Sequence, residues 1–114
     1  MKNCLFCKFA SGEFKVDKVF ENKSIIVFND IDPRAPIHLL IIPRIHIPTL
    51  NDIDKSNNEL LGEMSLVASQ LAKKHGMDKD GYRTIMNCNH FGGQTIFHIH
   101  LHLLGGRKLK WPPG

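Results

Sequence analysis

Towards the end of the chain, three histidines alternate with aliphatic residues in the run His98-Ile99-His100-Leu101-His102. A period of two is strand geometry. It sets His98, His100 and His102 on one face and Phe97, Ile99, Leu101 and Leu103 on the other, where they can pack into a core. Near neutral pH imidazole serves as acid, base, nucleophile or metal ligand, so a row of three points to chemistry more than to packing. Distance limits what the row can hold. At roughly 3.3 Å per residue, neighbours stand about 6–7 Å apart and the outer pair about 13 Å. A zinc–nitrogen bond is about 2.0–2.1 Å, so two neighbours could share a metal, but a regular strand cannot bring all three to one ion. An anion with several oxygens, such as a phosphate, could meet neighbouring imidazoles. A lone histidine on such a face is more simply a satisfied polar residue.

Two further groups could act beside this row. Gly92-Gly93-Gln94-Thr95 leads into it, and paired glycines let backbone N–H groups converge on an anion with no side chain in the way. Thr95 adds a hydroxyl and Gln94 an amide. Alone, Gly-Gly is a turn signal; in a loop that ends, at Thr95, three residues ahead of a histidine row, it suggests a phosphate pocket. Cys4-Leu5-Phe6-Cys7 has the spacing of a metal half-site or a redox pair, with two small buried cysteines as the alternative. Three cysteines are an odd number for a disulfide framework. Cys88 has no evident partner and is expected in the core. His38, His75 and His90 are expected to be structural or surface residues.

The elements that must position these groups follow from pattern. Phe6, Phe9 and Phe14 suit a short helix from Cys4 that turns at Ser11-Gly12. Val16–Glu21 and Ser24–Asn29 read as strands joined at Asn22-Lys23, with a strand exit at Asp30-Ile31-Asp32-Pro33. Ile37–Ile42 is a nearly continuous apolar strand closed by Pro43, and Pro48 restricts any helix over Ile45–Leu50. A long helix is expected from Lys55 to His75, because Leu60, Met64, Val67, Ala68 and Leu71 recur at helical spacing. Ser56 and Glu59 fit a capping box, and Gly76 a C-terminal stop. Tyr82–Cys88 and His98–Leu104 complete five strands, giving an α+β fold in which a five-stranded meander carries one long helix.

The chain has 114 residues, which suits a single domain over 1–114. Apolar residues make up 42% and charged residues 23%, the balance of a soluble globular protein. No stretch reaches the roughly 20 apolar residues of a membrane helix. No apolar signal segment lies behind Met1-Lys2-Asn3-Cys4, so the expected location is the cytoplasm, with no membrane partner. The net charge of +4 suits acidic ligands. However, the basic residues are scattered apart from Arg107, Lys108 and Lys110, and no basic stripe is interleaved with aromatics, so no nucleic-acid partner is expected.

The run from Gly93 to Leu104 resembles the signature of the histidine triad superfamily, in which three histidines alternate with hydrophobic residues after a Gly-Gln-Ser/Thr lead-in. The tail Gly105-Gly106-Arg107 and Trp111-Pro112-Pro113-Gly114 resembles the histidine triad nucleotide-binding branch, in its bacterial type. Phe28-Asn29-Asp30-Ile31 and the stretch from Pro36 to Ile47 match as well, so the resemblance spans essentially the whole chain. It implies a purine nucleoside phosphoramidase that cleaves the P–N bond of adenosine 5′-phosphoramidates through a nucleotidyl-histidine intermediate. It also implies an antiparallel sheet with a short N-terminal helix beside the long one, and a homodimer whose sheets join across a two-fold axis.

Carried over residue by residue, the resemblance makes His100 the nucleophile and His98 and His102 the flanking positions around the phosphate. Thr95 would bond a phosphate oxygen or the leaving group, and Asn87, Gly93 and Gln94 would add phosphate contacts. Asp30 would accept hydrogen bonds from the ribose hydroxyls; by itself it reads as a turn-capping aspartate. Phe6, Phe9, Phe28 and Ile31 would form the slot for the base. Phe14 fits that slot and plain core equally. Trp111 would reach the partner protomer's site. Cys4, Cys7, His46 and His98 would hold a structural zinc, and no catalytic metal or organic cofactor is implied. Two other functions use the same residues. A nucleotidyl transferase or phosphorylase would hand the nucleotide to a second substrate, for which little sequence remains. A slow-turnover purine-nucleotide sensor would keep His100 without depending on it. A zinc hydrolase fits least, since four protein ligands close the coordination sphere.

Overall fold

Residues 3–114 are described by the computed structural model; Met1 and Lys2, part of the stretch read above for a signal segment, lie outside it. Helix α1 (Leu5–Ser11) is capped by Cys4, whose Sγ accepts from the Cys7 N–H at 3.3 Å. It stops at Gly12, where φ of 84° is open to glycine at little cost. Strands β1 (Lys18–Glu21) and β2 (Ile25–Asn29) form a hairpin, its turn held by Asn22 Oδ1 accepting from the Ser24 and Ile25 N–H groups at 2.9 Å each. Strand β3 (Ile37–Pro43) pairs with β2, placing Val27 opposite Ile41.

The continuous apolar runs of β2 and β3 arise because both sheet faces are covered. Ile25, Val27, Leu39 and Ile41 pack on one side against Met64, Val67, Ala68 and Leu71 of the long helix α2 (Asn58–Lys74). Ile26, Phe28, Leu40 and Ile42 pack on the other against Phe6 of α1. Burying one such side chain is worth about 1.5–3 kcal/mol, so the alternation fixes which face each residue takes. Strand β5 (Leu101–Gly105) continues the pattern: Leu101 and Leu103 join the α2 side, which leaves His102 on the α1 side. The site therefore forms on the face that α1 only partly covers.

Several sequence expectations are corrected. The five strands run antiparallel in the order β1-β2-β3-β5-β4, so the sheet is not a simple meander: β5 inserts between β3 and the short edge strand β4 (Arg83–Ile85). The last strand begins at Leu101, not His98. The Pro43 carbonyl, where a longer ladder would continue, accepts instead from His98 Nε2–H at 2.8 Å, and the Ile99 N–H donates to the Ile47 carbonyl at 2.8 Å. The chain bends over residues 96–98, and Phe97, expected in the core, is 48% exposed. The helix lead-in also differs. Asp54 and Asn57 form a capping box around the 3-10 turn Lys55–Asn57, in place of Ser56 and Glu59. Gly76, with φ of 73°, ends α2 as expected: its N–H donates to the Lys73 carbonyl and that of Met77 to the Ala72 carbonyl. Cys88 is only half-buried, while His75 and His90 lie on the surface.

Candidate active site and thiol–imidazole cluster

The bend separates the three histidines into different surroundings. His98 is fully buried and turns towards α1. His100 is buried and His102 half-buried, and both line a cavity of about 930 Å³ between α1 and the sheet. The ring of Phe6 stands edge-on to both His98 and His100, with centroids 5.8 and 5.2 Å away.

Hydrogen bonds fix each ring's tautomer. His100 Nδ1 lies 2.8 Å from the His98 carbonyl; a carbonyl only accepts, so Nδ1 carries the proton and Nε2 keeps a free lone pair. A second chain of bonds starts from the backbone. The Arg34 N–H donates to His38 Nδ1 at 3.0 Å, which puts the His38 proton on Nε2. That proton faces His102 Nδ1 at 2.9 Å and the Asp30 carboxylate at 3.3 Å. His102 Nδ1 therefore accepts, and its own proton sits on Nε2. The site thus holds one imidazole with a bare nitrogen and one with an N–H to offer.

Burial keeps these rings neutral. His102 is pushed down to about 4, first by desolvation and then by the neighbouring His100 and His38. Desolvation also lowers His100 and His38, partly opposed in His100 by the bond to the His98 carbonyl and in His38 by the Asp30 charge.

Around these rings, Asp30, Asn87, Gly93 and Thr95 give the cavity lining polar groups, and Phe6, Phe9, Phe28 and Leu40 apolar ones, with the fully exposed Ile31 also on the lining. The aromatic wall is tightly set: Phe28 stands edge-on to Phe6 and Phe9 with centroids 5.5 and 5.2 Å away. Asp30 does cap a turn, its Oδ1 accepting from the Asp32 N–H at 2.8 Å, while Oδ2 faces His38. Gly93, with φ of 82°, closes the 3-10 turn His90–Gly92.

Three of the sequence candidates sit elsewhere. Gln94 is buried behind the loop, its Oε1 accepting from the Asn89 N–H at 2.8 Å and its Nε2 donating to the Pro48 and Ile96 carbonyls at 2.8 and 3.1 Å; it braces the loop. Phe14 is 45% exposed, with Lys8 Nζ 4.8 Å above its ring, and does not line the cavity. Trp111 is 80% exposed beside Arg83, whose Nη2 donates to the Lys110 carbonyl at 2.9 Å, and it does not reach this chain's own cavity. The residue that the sequence reading missed is His38. Its signal was a single polar residue in the apolar run Ile37–Ile42, because a buried imidazole there needs partners on both nitrogens.

The thiol–imidazole cluster lies outside this cavity's lining, and its Cys4 and His46 line a separate groove. The ligand atoms of Cys4, Cys7, His46 and His98 all fall within 4.8 Å of one another. His98 Nδ1 is 3.3 Å from Cys4 Sγ and 3.5 Å from Cys7 Sγ, and His46 Nδ1 is 3.2 Å from Cys7 Sγ. A tetrahedral ion with zinc-like bond lengths needs sulfur–nitrogen edges of about 3.5 Å, so the donor set fits. Because His98 Nε2–H is engaged by Pro43, its Nδ1 lone pair faces the sulfurs. Burial and the adjacent Cys4 push the Cys7 thiol up to about 11, and a bound cation would reverse that. Asp30, His38 and His102 also converge within 4.8 Å, but the hydrogen bonds described above already occupy their facing atoms.

Comparison with known proteins places the chain in a family and a fold. The family model described as "Scavenger mRNA decapping enzyme C-term binding" matches residues 3–110. The chain is 48% identical over 105 residues to the purine nucleoside phosphoramidase of Escherichia coli K12, an alignment covering 92% of this chain and 88% of that protein. It is similar to a crystal structure of a histidine-triad (HIT) family hydrolase from Legionella pneumophila Philadelphia 1, with a TM-score of 0.96 and 54% identity over 98% of this chain and 100% of that one. A histidine triad protein from Clostridium difficile gives a TM-score of 0.92 at 39% identity, covering 96% of each chain.

Proposed function

The chain belongs to the histidine triad superfamily, and on that premise we propose that it is a purine nucleoside phosphoramidase that hydrolyses the P–N bond of nucleoside 5′-phosphoramidates. The observation that carries this reading is the locked tautomer of His100, whose free Nε2 belongs to a ring lining a cavity walled by both polar and aromatic residues. Nε2 attacks the phosphorus and the P–N bond to the amine breaks. The amine leaves with the bonding pair and takes a proton from solvent. Water then displaces His100, returns the proton, and releases the nucleoside monophosphate. The two displacements form ordinary covalent catalysis, and a neutral imidazole needs no base to start it. His102 Nε2–H and the Thr95 hydroxyl stabilise charge on the phosphoryl oxygens, with Asn87 and the Gly93 backbone beside them. Asp30 accepts from the ribose hydroxyls, and Phe6, Phe9, Phe28 and Ile31 hold the base.

Cys4, Cys7, His46 and His98 hold a zinc ion, which ties α1 to the loop after β3 and to the histidine segment. Four protein ligands leave it no open position, so its role is structural. Through its carbonyl, His98 then orients His100 and is not itself an acid or base. The working form is a homodimer, joined across a two-fold axis so that the exposed Trp111 reaches the partner's site. The absence, among the described residues, of any helix long and apolar enough to cross a membrane suits a cytoplasmic enzyme.

The test is hydrolysis of adenosine 5′-phosphoramidate by the wild type and His100→Ala, each with and without a chelator. Turnover that survives chelation in the wild type and falls by on the order of a thousandfold or more in the variant supports the assignment. AMP binding without wild-type turnover would favour the transferase or sensor.

A further inference from the structure

The spacing of Cys4 and Cys7 suits a redox pair as well as a metal half-site, and a purely structural ion leaves that chemistry unused. The two sulfurs lie within 4.8 Å of each other. Cys4 caps α1 and Cys7 lies in its first turn. That spacing keeps their Cα atoms within the roughly 4.4–6.8 Å that a disulfide spans. The pair is unevenly placed. Cys4 lines a groove of about 680 Å³ with Asn3, Leu5, His46 and Phe97, whereas Cys7 lines neither this groove nor the cavity. A small oxidant in the groove therefore meets Cys4 first, with Cys7 at hand to resolve it. Cys88 stands outside the cluster and lines neither space.

Both sulfurs bear on the nucleophile. His98 Nδ1 is 3.3 Å from Cys4 Sγ and 3.5 Å from Cys7 Sγ, and the His98 carbonyl holds His100 Nδ1 at 2.8 Å. Phe6, between the two cysteines in sequence, is buried and stands edge-on to both imidazoles. A new bond between the sulfurs therefore acts at once on the ring of His98 and on the turn that carries Phe6.

We propose that Cys4 and Cys7 are a reversible disulfide site, oxidised by hydroperoxides, whose closure releases the ion and loosens the nucleotide cavity. This rests on the zinc reading. In the first step Cys4 Sγ attacks the O–O bond and becomes a sulfenic acid, while the departing oxygen takes a proton and leaves as water or an alcohol. Cys7 Sγ then displaces the hydroxyl from that sulfur, and the hydroxyl takes a second proton and leaves as water. Two thiolates lose two electrons, and the peroxide gains them. The disulfide carries no charge, so two neutral imidazoles alone are left to hold a dication. In the reducing compartment expected for this enzyme, such a bond is transient and reversed by thiols.

The experiment treats the zinc-loaded wild type and Cys88→Ser with stoichiometric hydrogen peroxide. It reads released zinc with a colorimetric chelator, the disulfide by peptide mass mapping and AMP affinity by calorimetry. The expected result in both proteins is a pair of thiols lost for each ion released, a Cys4–Cys7 link, and AMP affinity lowered by roughly tenfold, all restored by dithiothreitol and zinc. Zinc retained under peroxide, oxidation confined to Cys88 in the wild type, or AMP affinity unchanged once the Cys4–Cys7 bond has formed would overturn the inference and leave the zinc reading intact. A purified chain that takes up no zinc would overturn both, with the phosphoramidase reading untouched.

Discussion

The chemistry turns on which nitrogen of each imidazole carries a proton, and backbone groups decide this. The His98 carbonyl sets His100, and the Arg34 amide sets His38, which in turn sets His102. Two expectations follow at this scale. Asp30→Asn removes a charged acceptor for the ribose; a hydrogen bond to a charged group is worth about 1.5–3 kcal/mol, so KM should rise roughly tenfold to a hundredfold in steady-state kinetics. The second concerns pH. Unfolded, His38 and His102 titrate near 6.5, whereas folded His102 stays neutral down to about 4 and His38 is also lowered. The unfolded chain therefore binds more protons in that interval, so stability rises with pH through it. Thermal melts should show Tm level above about 6.5 and falling as the pH drops towards 4; a rise in Tm on acidification would contradict the burial of these rings. The catalytic row could be read from the sequence because its spacing is local. The pairing of His38 could not, because its partner His102 is 64 residues away along the chain.

At the scale of elements, pattern located α2, β2 and β3 to within a few residues, because their apolar periodicity reports burial directly. The start of β5 was illegible for the opposite reason: bonds to Pro43 and Ile47, from a distant part of the chain, pull residues 98–100 out of the ladder. The order β3-β5-β4 was equally hidden, since local sequence does not say which strand inserts beside which. Leu103, fully buried at the centre of β5 and opposite Leu39, should cost about 2–5 kcal/mol on replacement by Ala, measured by denaturant unfolding. The Cys-x-x-Cys spacing marked half of a metal site, but only the fold brings His46 and His98 to it. Zinc analysis of the purified protein should therefore find about one ion per chain, and chelation or Cys4→Ser should lower Tm. A chelated protein that melts unchanged would remove the structural role of the ion.

For the whole molecule, a sheet covered on both faces, with a short edge at β4, places one cavity between α1 and the strands and leaves Trp111 exposed beside that edge. Sedimentation equilibrium should give twice the 12.9 kDa of one chain. A monomer that retains full activity would show that Trp111 completes no partner site. The central claim is that His100 carries the nucleotide between two displacements. The most direct test is the stereochemical course of hydrolysis in heavy-oxygen water, using an adenosine 5′-phosphoramidate made chiral at phosphorus by one sulfur. Two successive inversions predict net retention, whereas net inversion would mean that water attacks the substrate directly, contradicting the assignment of His100 as nucleophile.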